Sequence, residues 1–183
     1  MSEAEKTYLL VDGENIDGVL GGVLGHKPKP NQRPRWGALV TFVEQRWGKP
    51  VQALFFINAT KDLPSTFVQA LLAMDYRPIP LSGSIHEKVV DIAIIRTMEA
   101  IVDHGGDVVL ASHDADFVDG MQALADADRR VGVVGFTEVI GQSLQHIDGI
   151  ELFDLETEVG AFDVSLPRVR VIPLDAYDPV PFL

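Results

Sequence analysis

The chain has 183 residues, a formal net charge of −12 and no cysteine. This length suits one domain with a full hydrophobic core and is marginal for two, and the lack of cysteine excludes disulfides and thiolate chemistry. The acidic balance argues against a general electrostatic attraction to nucleic acid, which requires positive charge, although a local basic patch on an acidic body would still serve.

The N-terminal segment does not resemble a secretory signal, because residues 1–13 carry acidic side chains and no long apolar stretch. Elsewhere no segment approaches the roughly 20 apolar residues that a membrane span requires. Together with the absence of cysteine, these features predict a cytoplasmic protein that does not bind a membrane.

Short apolar runs alternate with segments of helical periodicity along most of the chain. The apolar runs predict strands at residues 7–13, 51–58, 76–81, 107–112, 130–136 and 150–154. The helical spacing predicts helices at residues 36–48, 63–75, 86–106, 116–128 and 138–147. Such alternation implies right-handed crossovers, and therefore an α/β fold in which helices flank a mostly parallel central sheet.

Two segments interrupt this alternation. Residues 18–35 are rich in glycine and then in proline and basic residues, which predicts a long loop. The last residues are rich in proline and lack a core of their own. We therefore expect one domain over residues 1–160 and an extended tail over residues 161–183, packed on the domain or on a partner such as a second copy.

Carboxylates follow two of the predicted strands directly. Asp12 ends the first strand, and Asp114 and Asp116 follow the fourth. In a parallel sheet, functional groups gather at the carboxyl ends of the strands. If the first and fourth strands are neighbours, as in common strand orders of this class, these three side chains converge.

Asp91 joins this group by helical periodicity. It lies four residues before Ile95 and seven before Met98, so its carboxylate faces inward in the first turn of its helix. An inward carboxylate without a partner is costly. The alternative interpretation is a helix cap or an ion pair with Lys88 or Arg96.

Simpler roles exist for the other aspartates, since Asp12-Gly13 could form a turn, Asp116 could cap a helix, and Asp119 fits an exposed charge in the first helical turn. Four carboxylates at one sheet edge would nevertheless repel unless a cation compensates them. All-oxygen ligation suits Mg²⁺ or Mn²⁺ better than Zn²⁺, and no HExxH spacing is present. Carboxylate-bound divalent metals usually serve chemistry at phosphate. Neither a Walker loop nor a GxSxG elbow occurs in the chain.

The segments LLVDGENID (9–17), KVVD (88–91) and LASHDADF (110–117) follow one another in a familiar order and spacing. Over roughly residues 7–155 the chain resembles the NYN domain family, a branch of the PIN-like ribonucleases. The resemblance implies a PIN-like three-layer sandwich and metal-dependent cleavage of RNA. It assigns metal binding and catalysis to Asp12, Asp91, Asp114 and Asp116. It also implies that Asn15 orients Asp12 or a phosphate, and that Ser112 lies beside the site.

Two positions depart from the family pattern. The usual Ser-Gly-Asp-Ser-Asp-Phe is Ser-His-Asp-Ala-Asp-Phe here, which places His113 where a small residue is expected. Many members carry a further aspartate six residues after the one at position 91, and Thr97 stands there in this chain.

A basic segment over residues 26–36 is the candidate RNA-binding element. It holds four of the fifteen lysines and arginines, namely Lys27, Lys29, Arg33 and Arg35. These could hold phosphates, as could Lys88, and Trp36 could stack on a base. The alternative is a solvated loop, a solvated Lys88 and a tryptophan packed in the core.

Three functions remain open at this point. The first is a metal-dependent ribonuclease, and the second is a non-catalytic RNA-binding or scaffold module, which Thr97 and the acidic charge favour. The third is a Toprim-like phosphotransfer domain, since Glu14 and the Asp114-x-Asp116 pair imitate its carboxylates. The Toprim-like interpretation assigns no function to Asp91.

Overall fold

The computed structural model describes residues 6–183, which form one sheet of six parallel strands. The strands are β1 Thr7–Asp12, β2 Val51–Asn58, β3 Tyr76–Leu81, β4 Asp107–Ala111, β5 Val131–Gly135 and β6 Glu151–Asp154. Their order is β3-β2-β1-β4-β5-β6, which confirms both the parallel sheet and the adjacency of the first and fourth strands. The predicted domain begins at residue 1, but its first five residues lie outside the described part.

Helices cover both faces of the sheet. They are α1 Gly13–Leu24, α2 Trp36–Trp47, α3 Ser65–Ala73, α4 Val89–His104, α5 Val118–Asp126 and α6 Gln142–Gln145. Alternate residues of β1 separate two cores: Leu9 and Val11 pack with α1, α2 and α3, whereas Tyr8 and Leu10 pack with α4, α5 and α6. The predicted three-layer arrangement is therefore confirmed.

Within residues 6–183, no helix combines the length and the apolar character that crossing a bilayer requires.

The direction of strand addition reverses between β1 and β4. From β1 the chain adds β2 and β3 on one side, and from β4 it adds β5 and β6 on the other. Such a reversal leaves a crevice outside the carboxyl ends of the two central strands, because their connections leave in opposite directions. Asp12 ends β1 at this crevice, and Ser112 directly follows β4.

The predicted loop over residues 18–35 is wrong for residues 18–24, because α1 continues to Leu24. Ile16 and Leu20 lie one turn apart and are fully buried in the first core. A side chain at Gly18 or Gly22 would meet nothing within 4 Å, so both glycines lie on the open side of the helix. Each costs about 1 kcal/mol of helix propensity, which the burial of the apolar face offsets.

The edge strand β3 tolerates two prolines. Among the residues that the structure describes it pairs only with β2, and the carbonyl of Leu81 accepts a hydrogen bond from Ala59 on that side. Because successive residues of a strand alternate in hydrogen-bonding direction, Pro78 and Pro80 face the free edge. Their missing N–H groups therefore remove no bond from the sheet.

The chain after β6 is attached to the domain mainly through Arg168. Its side chain is only 3% exposed. The guanidinium donates to Asp154 at 2.6 and 2.8 Å and to Glu156 at 3.1 Å, and it also pairs with Glu138. It lies 4.9 Å from the ring centre of Phe136. This cluster, the Arg168 cluster, joins the tail to the loops after β5 and β6.

Beyond this cluster the chain forms only two short 3-10 turns within the described residues, at Leu174–Ala176 and Val180–Phe182. Ala161 is buried and Phe162 and Leu166 pack against the first core. The start of the predicted tail thus contributes to the domain's packing, and a division of the chain at residue 160 stays a prediction.

We expect the Arg168 cluster to make stability depend on acid pH. Burial opposes the charge on Asp154, but hydrogen bonds from Arg168 and from the backbone of Thr157 and Thr137 hold the pKa of this carboxyl far below its usual range. A depressed pKa stabilises the folded state above the unfolded pKa of about 3.9, and this contribution is lost as the pH falls below that value. Urea unfolding should therefore show wild type losing stability progressively as the pH falls below about 4, towards the depressed pKa of Asp154.

The matched comparison is Asp154→Asn, which should be less stable than wild type at pH 7, with a difference that narrows progressively as the pH falls below about 4. Parallel pH curves for the two proteins would contradict the assignment of this acid sensitivity to Asp154.

Candidate metal and nucleic-acid site

Asp12 is held at the carboxyl end of β1 by two hydrogen bonds. Ser112 Oγ donates to Asp12 Oδ2 at 3.0 Å, and the backbone N–H of Asn15 donates to Oδ1 at 3.4 Å. Ser112 is fully buried, and its Oγ also accepts the backbone N–H of Asp114 at 3.2 Å. One hydroxyl thus connects the first aspartate of the site to the loop that carries the third.

Three other carboxylates converge near Asp12 and Ser112. Asp91 lies in the first turn of α4, and Asp114 and Asp116 lie on the turn between β4 and α5. One oxygen from each of the three lies within 4.8 Å of the others, and we call this group the acidic triad. Asp114 accepts the backbone N–H of Asp116 at 2.9 Å, which fixes the turn. Asp12 is not part of this close group.

The charges of the site repel one another. Burial, together with the negative charge of Asp91, raises the pKa of Asp12 to about 6, and the hydrogen bonds from Ser112 and Asn15 act in the opposite direction. Burial also raises the pKa of Asp91, assisted by Asp114 and Asp116 and opposed by Lys88. Asp12 is thus electrostatically linked to the acidic triad although it lies outside it.

Lys88 supplies the positive charge in this structure. Its Nζ lies 3.8 Å from Asp91 and 3.7 Å from Asp116, while its side chain stays 71% exposed. The ion pair with Asp91 is the one that sequence reasoning offered as an alternative to metal binding. Because an exposed lysine at this distance contributes little free energy, the pairing leaves the repulsion largely uncompensated.

His113 has a structural position. It is 5% exposed, and its ring stacks on Phe136 at 5.6 Å. Nε2 accepts the backbone N–H of Phe136 at 2.7 Å, so Nδ1 carries the proton and donates to Asn15 Oδ1 at 2.8 Å. Burial lowers the pKa of His113 to about 4. His113, which departs from the family pattern, therefore links α1 to the end of β5 through its neutral imidazole.

Asn15 links Asp12 to His113. Its backbone N–H contacts Asp12, but its side-chain oxygen accepts both the backbone N–H and the ring N–H of His113. We expect Asn15→Ala to lower the free energy of unfolding by about 1–3 kcal/mol, because two donors in a partly buried site lose their acceptor. Urea unfolding of this variant measures the loss.

Asn58→Ala is the control for that experiment, since the Asn58 side chain accepts one exposed N–H, from Thr60. It should change stability by less than about 1 kcal/mol. Equal losses in the free energy of unfolding of the two variants would show that the Asn15–His113 hydrogen bonds contribute no more to stability than the exposed bond of Asn58.

The predicted basic segment is only partly free. Arg33 Nε donates to Asp17 at 3.0 Å, and Arg35 pairs with Asp163 at 3.3 Å and donates to the carbonyl of Gly160. Lys27 and Lys29 are exposed. Of the four predicted phosphate contacts, the two arginines thus form ion pairs with α1 and with the segment after β6, although the Arg35 side chain is still 56% exposed. Trp36 is buried, as its helical spacing indicates.

Thr97 lies away from the acidic triad. Six residues of helix separate it from Asp91, a rise of about 9 Å. Its hydroxyl donates to the carbonyl of Ala93, and it borders a surface depression with Gln52, Arg77 and His104. A carboxylate at this position would not have joined the three that converge.

Sequence reasoning missed an aromatic cavity beside the site. The cavity is about 240 Å³ in volume and lies between α1 and the carboxyl end of β2. Its lining includes Glu14, Trp36, Phe55 and Phe67. Trp36 was predicted either to stack on a base or to pack in the core, and no periodicity in the sequence distinguishes a core ring from one that borders a cavity.

A parallel sheet with carboxylates gathered where its strand order reverses defines an α/β protein of PIN-like architecture. The sequence model of the NYN domain family matches residues 6–151, which is most of the chain. The chain therefore belongs to the NYN domain family, and the resemblance seen in its motifs is confirmed.

One solved structure supports the fold. It is the crystal structure of a protein of unknown function, VPA0982 of Vibrio parahaemolyticus, with a TM-score of 0.66 and 17% identity over 86% of this chain and 97% of that chain. At this identity the similarity concerns the fold alone. Comparison with curated proteins finds no significant match.

Proposed function

We propose that the chain is a metal-dependent ribonuclease that cleaves RNA phosphodiester bonds at the acidic triad. The observation that carries this proposal is the convergence of Asp91, Asp114 and Asp116 at the crevice between β1 and β4, in a chain of the NYN family. Three like charges held this close, with raised proton affinity at Asp91, favour a bound cation.

The donor set fits Mg²⁺ or Mn²⁺. The triad offers carboxylate oxygens, and hard divalent cations prefer such ligands over nitrogen or sulfur. Asp91, Asp114 and Asp116 would hold the ion, with Asp12 nearby as a further acceptor. When bound, such an ion supplies an activated water and neutralises charge on the phosphodiester.

The protein's own groups position the reactants. Ser112 and Asn15 fix Asp12, and the hydrogen bond from Asp116 N–H fixes the carboxylate of Asp114. Lys88 pairs with the triad in this structure and is exposed enough to turn to a phosphate. Lys27 and Lys29 provide accessible positive charge for the RNA backbone, and Arg33 and Arg35 support the segment that carries them.

Cleavage of labelled single-stranded RNA tests the proposal directly. Wild type with Mn²⁺ or Mg²⁺ should produce fragments, and the same reaction with EDTA should not. Isothermal titration with Mn²⁺ provides a second measurement that does not depend on the RNA chosen. Absence of cleavage with either metal would contradict the proposal, and absence of Mn²⁺ binding would also contradict the assigned metal site.

The second candidate is a non-catalytic RNA-binding module, which the lysine-paired state of the triad favours. RNA binding without cleavage under every metal condition would support it. Membership of the NYN family favours either candidate over a Toprim-like phosphotransfer domain. The cytoplasmic location and the partner of the C-terminal tail, a second copy or another protein, stay predictions.

A further inference from the structure

The aromatic cavity adjoins the acidic site through α1. Gly13 and Glu14, the two residues after Asp12, both line it. A Cβ at Gly13 would lie 2.5 Å from Phe55 Cζ, so the absence of a side chain there allows the ring to reach the first turn of α1. Glu14 also interacts with the charge of Asp91. The cavity and the triad are thus neighbouring parts of one surface.

Aromatic rings form the inner wall of the cavity. Phe55 lies edge-to-face with Trp36 at 5.0 Å and with Phe67 at 5.2 Å. Phe67 is only half-buried, whereas Trp36 and Phe55 are almost fully buried. A half-exposed ring at the mouth of an aromatic cavity offers a surface on which a flat ring can stack.

The volume limits the ligand. At about 240 Å³ the cavity is smaller than the roughly 300–1,000 Å³ pockets of drug-sized ligands. It therefore admits one flat ring system and excludes an oligonucleotide segment. Single-stranded RNA presents such rings, because its unpaired bases can leave the stack and enter pockets.

The rim is rich in hydrogen-bond acceptors. Glu14 and Asp17 both line it, and ionised carboxylates accept hydrogen bonds and donate none. Arg33, the cation at this rim, already donates its Nε–H to Asp17. Cytosine presents an amino donor where uracil presents a carbonyl acceptor, so the carboxylates of Glu14 and Asp17 match the first and oppose the second.

We propose that the aromatic cavity binds the unpaired base of the nucleotide next to the cleaved phosphate, and that it selects bases with an exocyclic amino group over uracil. The proposal rests on the ribonuclease function above and adds a base preference to it. Phe67 provides the stacking surface, and Glu14 accepts the hydrogen bond from the amino group.

Nucleotide binding can be measured without catalysis. The chain has two tryptophans, and the ring N–H of buried Trp47 has no hydrogen-bond partner among the described residues. Trp47→Phe therefore leaves Trp36 as the reporter without removing a hydrogen bond. In EDTA, cytidine 5′-monophosphate should quench Trp36 fluorescence saturably, with an affinity at least about fivefold higher than uridine 5′-monophosphate.

Two substitutions in this background test the assignments. Phe67→Ala should weaken cytidylate binding at least about fivefold, the lower limit of a base–aromatic stack, while Phe67→Tyr should retain it. Glu14→Gln should bring the two nucleotides to similar affinity, because an amide both donates and accepts. Thermal unfolding confirms that each variant is folded.

The outcomes separate the two proposals. Cytidylate binding by a wild-type protein that cleaves no RNA would overturn the ribonuclease function and leave the base site standing. Unsaturable quenching, equal binding of the two nucleotides, or unchanged binding in folded Phe67→Ala would overturn the base site, whether or not the protein cleaves RNA.

Discussion

Asp114→Asn should abolish metal-dependent RNA cleavage, with a loss of more than about a hundredfold in rate. Removing groups that only orient metal ligands typically costs 10–100-fold in affinity or activity, and Asp114 is one of the three converging carboxylates themselves. The asparagine retains an oxygen that can accept the N–H of Asp116, so the turn after β4 should persist. Rates of RNA cleavage and Mn²⁺ titrations measure the effect.

Asp119→Asn is the matched control, because Asp119 is an exposed charge in the first turn of α5, just beyond the triad. It should cleave RNA at the wild-type rate. Wild-type activity in Asp114→Asn, or equal losses in both variants, would show that the acidic triad is not the catalytic centre. The folded state of Asp114→Asn should be at least as stable as wild type without metal, since one repelling charge is gone.

Arg168→Met should destabilise the protein by about 3–5 kcal/mol. The substitution leaves Asp154, Glu138 and Glu156 without their shared cation, and breaking a buried ion pair by removing one partner typically has this effect. Asp154 is only 4% exposed, so water cannot replace the lost hydrogen bonds well. Urea unfolding at pH 7 measures the change in free energy.

Arg170→Met provides the comparison. Arg170 lies 3.5 Å from Asp154 and 3.7 Å from Glu138, but its side chain is 40% exposed. An exposed pair of this kind contributes about 0–1 kcal/mol. If Arg168→Met and Arg170→Met lose the same free energy of unfolding, burial does not determine how much each arginine of this cluster stabilises the fold.

Much of the fold was predictable because hydrophobic periodicity encodes it. The apolar runs at β1 and β4 identified the central strands, and the helical spacing around Asp91 placed its carboxylate inward. The error at α1 has a local cause: glycines at 18, 21 and 22 suggested a loop, whereas Ile16 and Leu20 supplied enough burial to sustain a helix.

The finer geometry of the site was beyond the sequence. The four aspartates were expected to act as one set; oxygens of Asp91, Asp114 and Asp116 lie within 4.8 Å of one another, whereas Asp12 is hydrogen-bonded to Ser112 and Asn15. The pairing of Arg168 with Glu138 joins residues 30 positions apart, and no pattern in the sequence signals such a contact. The same is true of Arg33 and Arg35, whose partners lie in α1 and after β6.

The two prolines of β3 also restrict how this protein could associate with itself. An unprotected edge strand is a template on which another chain can add a strand, through its unpaired N–H and C=O groups. Pro78 and Pro80 present no N–H on that side, so an incoming strand would find acceptors without the matching donors. A dimer built by extending the sheet past β3 is therefore disfavoured, and self-association through a continuous intermolecular sheet is discouraged at this edge. A pairing of two copies is therefore expected to use another surface.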